Sequence, residues 1–206
     1  MEHFFTRLEE IKEIKKTLAK RDWFLGTSGN LSIKVNDHPL LFLVTASGKD
    51  KTIHTSSDFL LVDENEQSIW DQTKKPSAEA ILHKLIYKHS NAGCVLHVHT
   101  IANNLITHSF PSIKEVNFSG CEIIKALDHW EENAKVSIPI IHNHAHIPTL
   151  GEAFLAHITG DRGAVLIHNH GITVWAETAF EAKKQLEAYE FLFQLTLQSK
   201  LTSLSV

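Results

Sequence analysis

The chain has 206 residues, 43% of them hydrophobic and 21% charged, with nine Gly and five Pro, a balance typical of folded globular chains that excludes collagen-like and disordered ones. A chain of this size buries about 70% of its unfolded surface, enough for one sizeable core. Twenty Lys and Arg against twenty-four Asp and Glu leave a formal net charge of −4, so a nucleic-acid backbone finds no basic footprint and neither DNA nor RNA is expected as a partner.

No run approaches the roughly eighteen consecutive apolar residues of a membrane span, and the first residues read as an acidic helix rather than a leader. With only Cys94 and Cys121 there is no disulfide framework. A cytoplasmic protein that does not contact membranes is expected. No linker or repeat divides the chain, so 1–206 reads as a single domain.

In chain order, Phe4, Leu8, Ile11, Ile14 and Leu18 recur near helical spacing and predict an amphipathic helix over 3–20. Residues 31–35 alternate strictly, 40–45 are an apolar run, and Asn36-Asp37-His38-Pro39 between them has turn chemistry, which predicts a hairpin. Short strands over 59–62 and 68–70 extend it. Ser77 is the expected N-cap of a helix over 78–88. A strand follows over 94–99, then helices over 101–107 and 121–130. Strands over 136–141 and 163–167 flank a helix over 150–159, a further strand covers 171–175, and a long helix over 178–198 closes the chain. Interleaved helices and strands predict an α/β fold with a mixed, largely antiparallel sheet.

Fifteen histidines are present, ten of them between His97 and His170. Imidazole is the commonest metal ligand. His97-Val98-His99 ends a strand, and residues i and i+2 of a strand share a face, so the two rings can converge on one cation. A catalytic zinc takes three protein ligands and keeps one position open. The third donor is expected from His168 or His170, with Gly171 leaving room for close backbone approach. His142, His144 and His146 form a rival triplet at the same spacing, but Pro139 and Pro148 flank it and suggest an exposed rim.

Gly26-Thr27-Ser28-Gly29-Asn30 and Thr45-Ala46-Ser47-Gly48-Lys49-Asp50-Lys51 resemble anion cradles. Ser77 at a helix start adds a third anion-friendly element. Together they point to a phosphorylated substrate anchored by Asn30, Ser47, Gly48 and Ser77. Glu79 and Glu122 are the candidate carboxylates for proton transfer, which requires reach of about 3 Å. On the residues alone, a non-catalytic protein with a structural zinc stays open.

The motifs Gly26-Thr27-Ser28-Gly29-Asn30, Thr45-Ala46-Ser47-Gly48, Ser77-Ala78-Glu79, His97-Val98-His99 and Asn169-His170-Gly171, in this order, resemble the class II aldolase family. The segments Leu96 to Thr100, Cys121 to Leu127, Asn169 to Trp175 and Glu187 to Phe193 are most similar to its dehydratases, which remove water from a phosphorylated ketose. The resemblance implies a three-layer α/β/α sandwich, a homotetramer, and one zinc held by His97, His99 and His170. It also implies that Glu122 matches the dehydratases' acid/base glutamate, while Glu79 matches that of the sugar-phosphate aldolases. A class II aldolase or 4-epimerase of the fuculose- or ribulose-phosphate type is the alternative it leaves open.

Overall fold

The computed structural model describes residues 2–109 and 114–203. An eight-stranded sheet runs through the molecule. Its strands are β1 (Asn30–Asn36), β2 (Leu41–Thr45), β3 (Phe59–Val62), β4 (Cys94–Val98), β5 (Glu115–Ser119), β6 (Lys135–Ile141), β7 (Gly163–Ile167) and β8 (Gly171–Ala176). The spatial order is β3-β2-β1-β4-β8-β7-β6-β5. Among the described residues only β6 and β7 pair in parallel. That pair needs a crossover, and α4 (Ile147–Leu155) supplies it.

Helices cover both faces because strand side chains alternate. On one face Leu43, Cys94, Leu96 and Val174 pack against Ile11, Ile14 and Leu18 of α1 (Glu2–Ala19), Ile106 of α3 (Ile101–His108), and Leu186, Leu192 and Phe193 of α5 (Ala179–Ser203). On the other, Phe42, Val44, Val95, Val165 and Trp175 meet Leu82 and Ile86 of α2 (Ala80–His89) and Leu150 and Phe154 of α4. Each large apolar side chain so enclosed contributes about 1.5–3 kcal/mol. This is the expected three-layer arrangement with a mixed, largely antiparallel sheet. Among the described residues no helix is long and apolar enough to cross a membrane.

Three expectations need correction, and one strand was not expected. The segment expected as a helix over 121–130 is a 3₁₀ turn, Glu122–Leu127, that buries only Ile124 and Leu127 and ends where Asp128 takes φ 64°. Residues 68–70 form no strand; Ser68 makes a single bridge to Val62. Glu79, not Ser77, holds the N-cap position of α2, and the Ser77 hydroxyl accepts from the Glu79 N–H at 3.4 Å. Finally, β5 goes unpredicted because Phe118 is its one fully buried side chain.

Candidate active site

Odd-numbered positions of β4 face α2, so His97 follows Val95 onto that face and His99 continues the alternation just past the strand end. β8 lies beside β4, with His97 opposite Thr173 and Val98 opposite Ile172. The turn before β8 therefore brings His170 to the same spot. One ring nitrogen from each of His97, His99 and His170 lies within 4.8 Å of the others. His168, the other candidate for this place, is not in the cluster; its N–H donates to Ile141 O at 2.9 Å.

Gly171 makes the convergence sterically feasible. A Cβ there would lie 2.5 Å from Val98 O, 2.7 Å from His99 Cδ2 and 3.0 Å from His97 Cε1. Gly29, at φ +71° in the loop just before β1, lies against the backbone of His97: a Cβ would meet His97 O at 2.7 Å. Past His99 the chain is pinned by a capping box, in which Thr100 Oγ1 accepts from Asn103 N at 3.0 Å and Thr100 N donates to Asn103 Oδ1 at 3.2 Å.

Hydrogen bonds fix the rings. His97 Nδ1 lies 2.9 Å from Ile172 O, which can only accept, so Nδ1 carries the proton and Nε2 presents a lone pair. Thr173 Oγ1 stands 3.0 Å from the same nitrogen. His170 Nδ1 faces Asn143 Oδ1 at 3.2 Å, which turns its Nε2 inward in the same way. The His97 and His99 Nε2 atoms are 2.7 Å apart. Glu79 closes the group, its Oε1 3.1 Å from His170 Nε2 and its Oε2 3.3 Å from His97 Nε2, with Asn30 Nδ2 donating to Oε2 at 2.7 Å.

Burial pushes the His97 imidazole down to about 4. The same burial, with His97 and His170 alongside, takes His99 to about 2. Burial works against ionisation of Glu79, but His97, His170 and the Asn30 amide together outweigh it and hold the carboxyl well below the usual carboxylate range. The Nε2 atoms of His97, His99 and His170 and the Glu79 carboxylate are turned on one another at close range, a set of donors that a divalent cation would gather. The donor set fits a metal centre.

The three anion-friendly stretches meet next to this cluster. Thr45 O accepts from Ser77 N at 3.1 Å, Thr45 Oγ1 accepts from Leu31 N at 3.3 Å, and Ser47 N donates to Lys75 O at 2.9 Å. Asn30 is buried, Ser77 half-buried, and Ser47 and Gly48 exposed, Gly48 at φ +67°. Glu122 stands apart. Its side chain is 84% exposed and pairs with Lys125 at 2.7 Å. The sequence reading passed over Asn143, which sits in the histidine triplet set aside as rim, and Thr173, an unremarkable strand residue. His142, His144 and His146 are exposed or half-buried, as expected of a rim.

Comparison with known proteins bears on this arrangement. The model of the Class II Aldolase and Adducin N-terminal domain matches residues 9–197. The chain belongs to this class II aldolase family. It is 62% identical over 184 residues, 89% of this chain and 87% of the relative, to the methylthioribulose-1-phosphate dehydratase of Geobacillus thermodenitrificans (strain NG80-2). It is 60% identical over 195 residues, 94% of this chain and 93% of the relative, to the protein of that name from Bacillus subtilis (strain 168). Among solved structures, the sugar-phosphate aldolase from Thermotoga maritima superposes with a TM-score of 0.76 over 99% of this chain and 98% of that one, at 17% identity, a likeness of fold.

Proposed function

We propose that the protein is a hydro-lyase of methionine salvage that converts 5-methylthioribulose 1-phosphate to 2,3-diketo-5-methylthiopentyl 1-phosphate and water. The observation that carries this reading is the roughly 60% identity, over almost the whole chain, to relatives named for that dehydration. The aldolase alternative has support only from structures at about 20% identity, which share the fold.

His97, His99 and His170 hold the metal, zinc being the choice that fits three imidazoles and an open position. When bound, it polarises the substrate's carbonyl and so acidifies the neighbouring C3–H. The chain's own groups do the rest. Asn30, Ser47, Gly48 and Ser77 anchor the phosphate and fix the register of the sugar carbons over the cluster. Glu79 and Glu122 are the carboxylates for the two proton transfers, removal from C3 and delivery to the departing C4 hydroxyl. Glu79 already touches the histidines, whereas Glu122, exposed and paired with Lys125, is given its part by the family likeness and not by proximity. Loss of water leaves an enol that ketonises to the diketone. The family likeness adds a homotetramer, and the composition a cytoplasmic, single-domain enzyme. Incubation of metal-loaded protein with the ketose phosphate tests the reading: formation of the diketone supports it, and recovery of intact ketose, or of a triose phosphate, rejects it.

A further inference from the structure

Lys51 is a buried cation without a carboxylate partner among the described residues. It is 3% exposed, its Nζ donates to Thr27 O at 2.8 Å, and the ammonium lies 5.9 Å from the centre of the Phe24 ring. A carbonyl and an aromatic face do not neutralise it, and an uncompensated buried charge is costly. Burial first, then repulsion from Lys15, brings its pKa down to about 8 despite Asp50 and Glu79.

The place where Lys51 is held matters as much as its charge. Thr27 belongs to the Gly26–Asn30 loop, whose Gly29 abuts the backbone of His97. Ser28 Oγ and Asn30 Oδ1 on that loop are buried with no hydrogen-bond partner among the described residues. Lys51 itself comes from the turn that carries Ser47 and Gly48, so its side chain ties one cradle stretch to the other. Its charge also acts on His99. Asn30, Ser47, Gly48 and Ser77 supply neutral donors only, whereas a phosphate dianion brings negative charge into a site that already contains the ionised Glu79.

We infer that Lys51 is the charged member of the anion subsite, holding Thr27 O with one N–H and the substrate's phosphate with the others. The inference rests on the reading of the substrate as a phosphorylated ketose. It adds a residue that the neutral cradle does not include, and it explains why a lysine is enclosed there. A charge-assisted contact of this kind changes affinity about 10- to 100-fold when removed.

The test uses the metal-loaded full chain and two ligands, inorganic phosphate by calorimetry and the ketose phosphate by steady-state kinetics. Lys51→Met is expected to weaken phosphate binding and raise KM about 10- to 100-fold with metal content unchanged, and Lys51→Arg to recover part of the loss. As a check needing no variant, phosphate binding by wild type is expected to weaken as ionic strength rises, as contact with a charged side chain requires. Unchanged phosphate affinity in Lys51→Met, or no phosphate binding by wild type, overturns the inference. If wild type fails to dehydrate the ketose while phosphate binding still depends on Lys51, the proposed reaction falls and the subsite stands. If turnover is normal and KM is indifferent to Lys51, the subsite falls and the reaction stands.

Discussion

Asn143 and His170, 27 residues apart in the chain, meet at 3.2 Å, and the contact turns the His170 Nε2 toward Glu79. Asn143 follows the end of β6 and His170 sits in the turn between β7 and β8, so the parallel pairing of β6 with β7 is what brings them together. A group that orients a ligating histidine typically sets metal affinity within about 10- to 100-fold. Asn143→Ala is expected to weaken metal binding by that order, read by competition with a chromogenic chelator, while the far-ultraviolet circular dichroism stays as in wild type.

Gly171→Ala is expected to be more damaging. Two of the atoms a new methyl would meet are the Val98 carbonyl oxygen and His99 Cδ2, and the first is sheet backbone that cannot swing aside. Overpacking of this kind costs about 1–3 kcal/mol, visible in urea denaturation, and the displaced His99 ring should leave the purified protein depleted in metal. Full metal content with normal stability would show that β4 and β8 can separate locally.

The two carboxylates should separate by readout. Glu79→Gln removes the charge facing His97 and His170, so both turnover and metal retention are expected to fall. Glu122→Gln alters an exposed group engaged, among the described residues, with Lys125, so metal content should match wild type while turnover drops about 10²-fold or more, the usual scale of general acid/base catalysis. Wild-type turnover in Glu122→Gln would remove that residue from the proton path.

Glu190, 1% exposed in α5, accepts from Thr100 Oγ1 and Asn103 Nδ2, both at 2.8 Å, and burial lifts its pKa to about 7 against those bonds. The folded state thus holds a proton that the unfolded state, with a pKa near 4.5, releases. The resulting stabilisation is complete below about pH 4.5 and disappears as pH rises through about 7. Relative to wild type, Glu190→Gln should gain up to about 3 kcal/mol between pH 4 and pH 8, measured by chemical denaturation across that range. A constant difference would mean that Glu190 titrates alike in both states.

Much of this site could be read from residue order. The period-two placement of His97 and His99 holds because β4 is a regular strand, and the strands over 31–35, 59–62, 94–99 and 163–167 are apolar or alternating enough to declare themselves. The choice between His168 and His170 could not be made from periodicity, since both lie in a turn where Asn169 takes φ 50° and alternation no longer applies. Asn143 was hidden for a related reason: its role depends on which strands are neighbours, and hydrophobic pattern does not encode that. The apolar spacing of Ile123, Ile124 and Leu127 mimicked a helix because a 3₁₀ turn and the first turns of an α-helix bury nearly the same positions.

His97 and Thr173 are partners across the β4–β8 ladder although 76 residues separate them. On the proposed ligand set, a nascent chain that has not yet emerged as far as β8 would offer the cation only His97 and His99 of the three, so tight capture would wait until the two distant strands pair. Metal uptake during refolding is therefore expected to report the closure of the β4–β8 ladder.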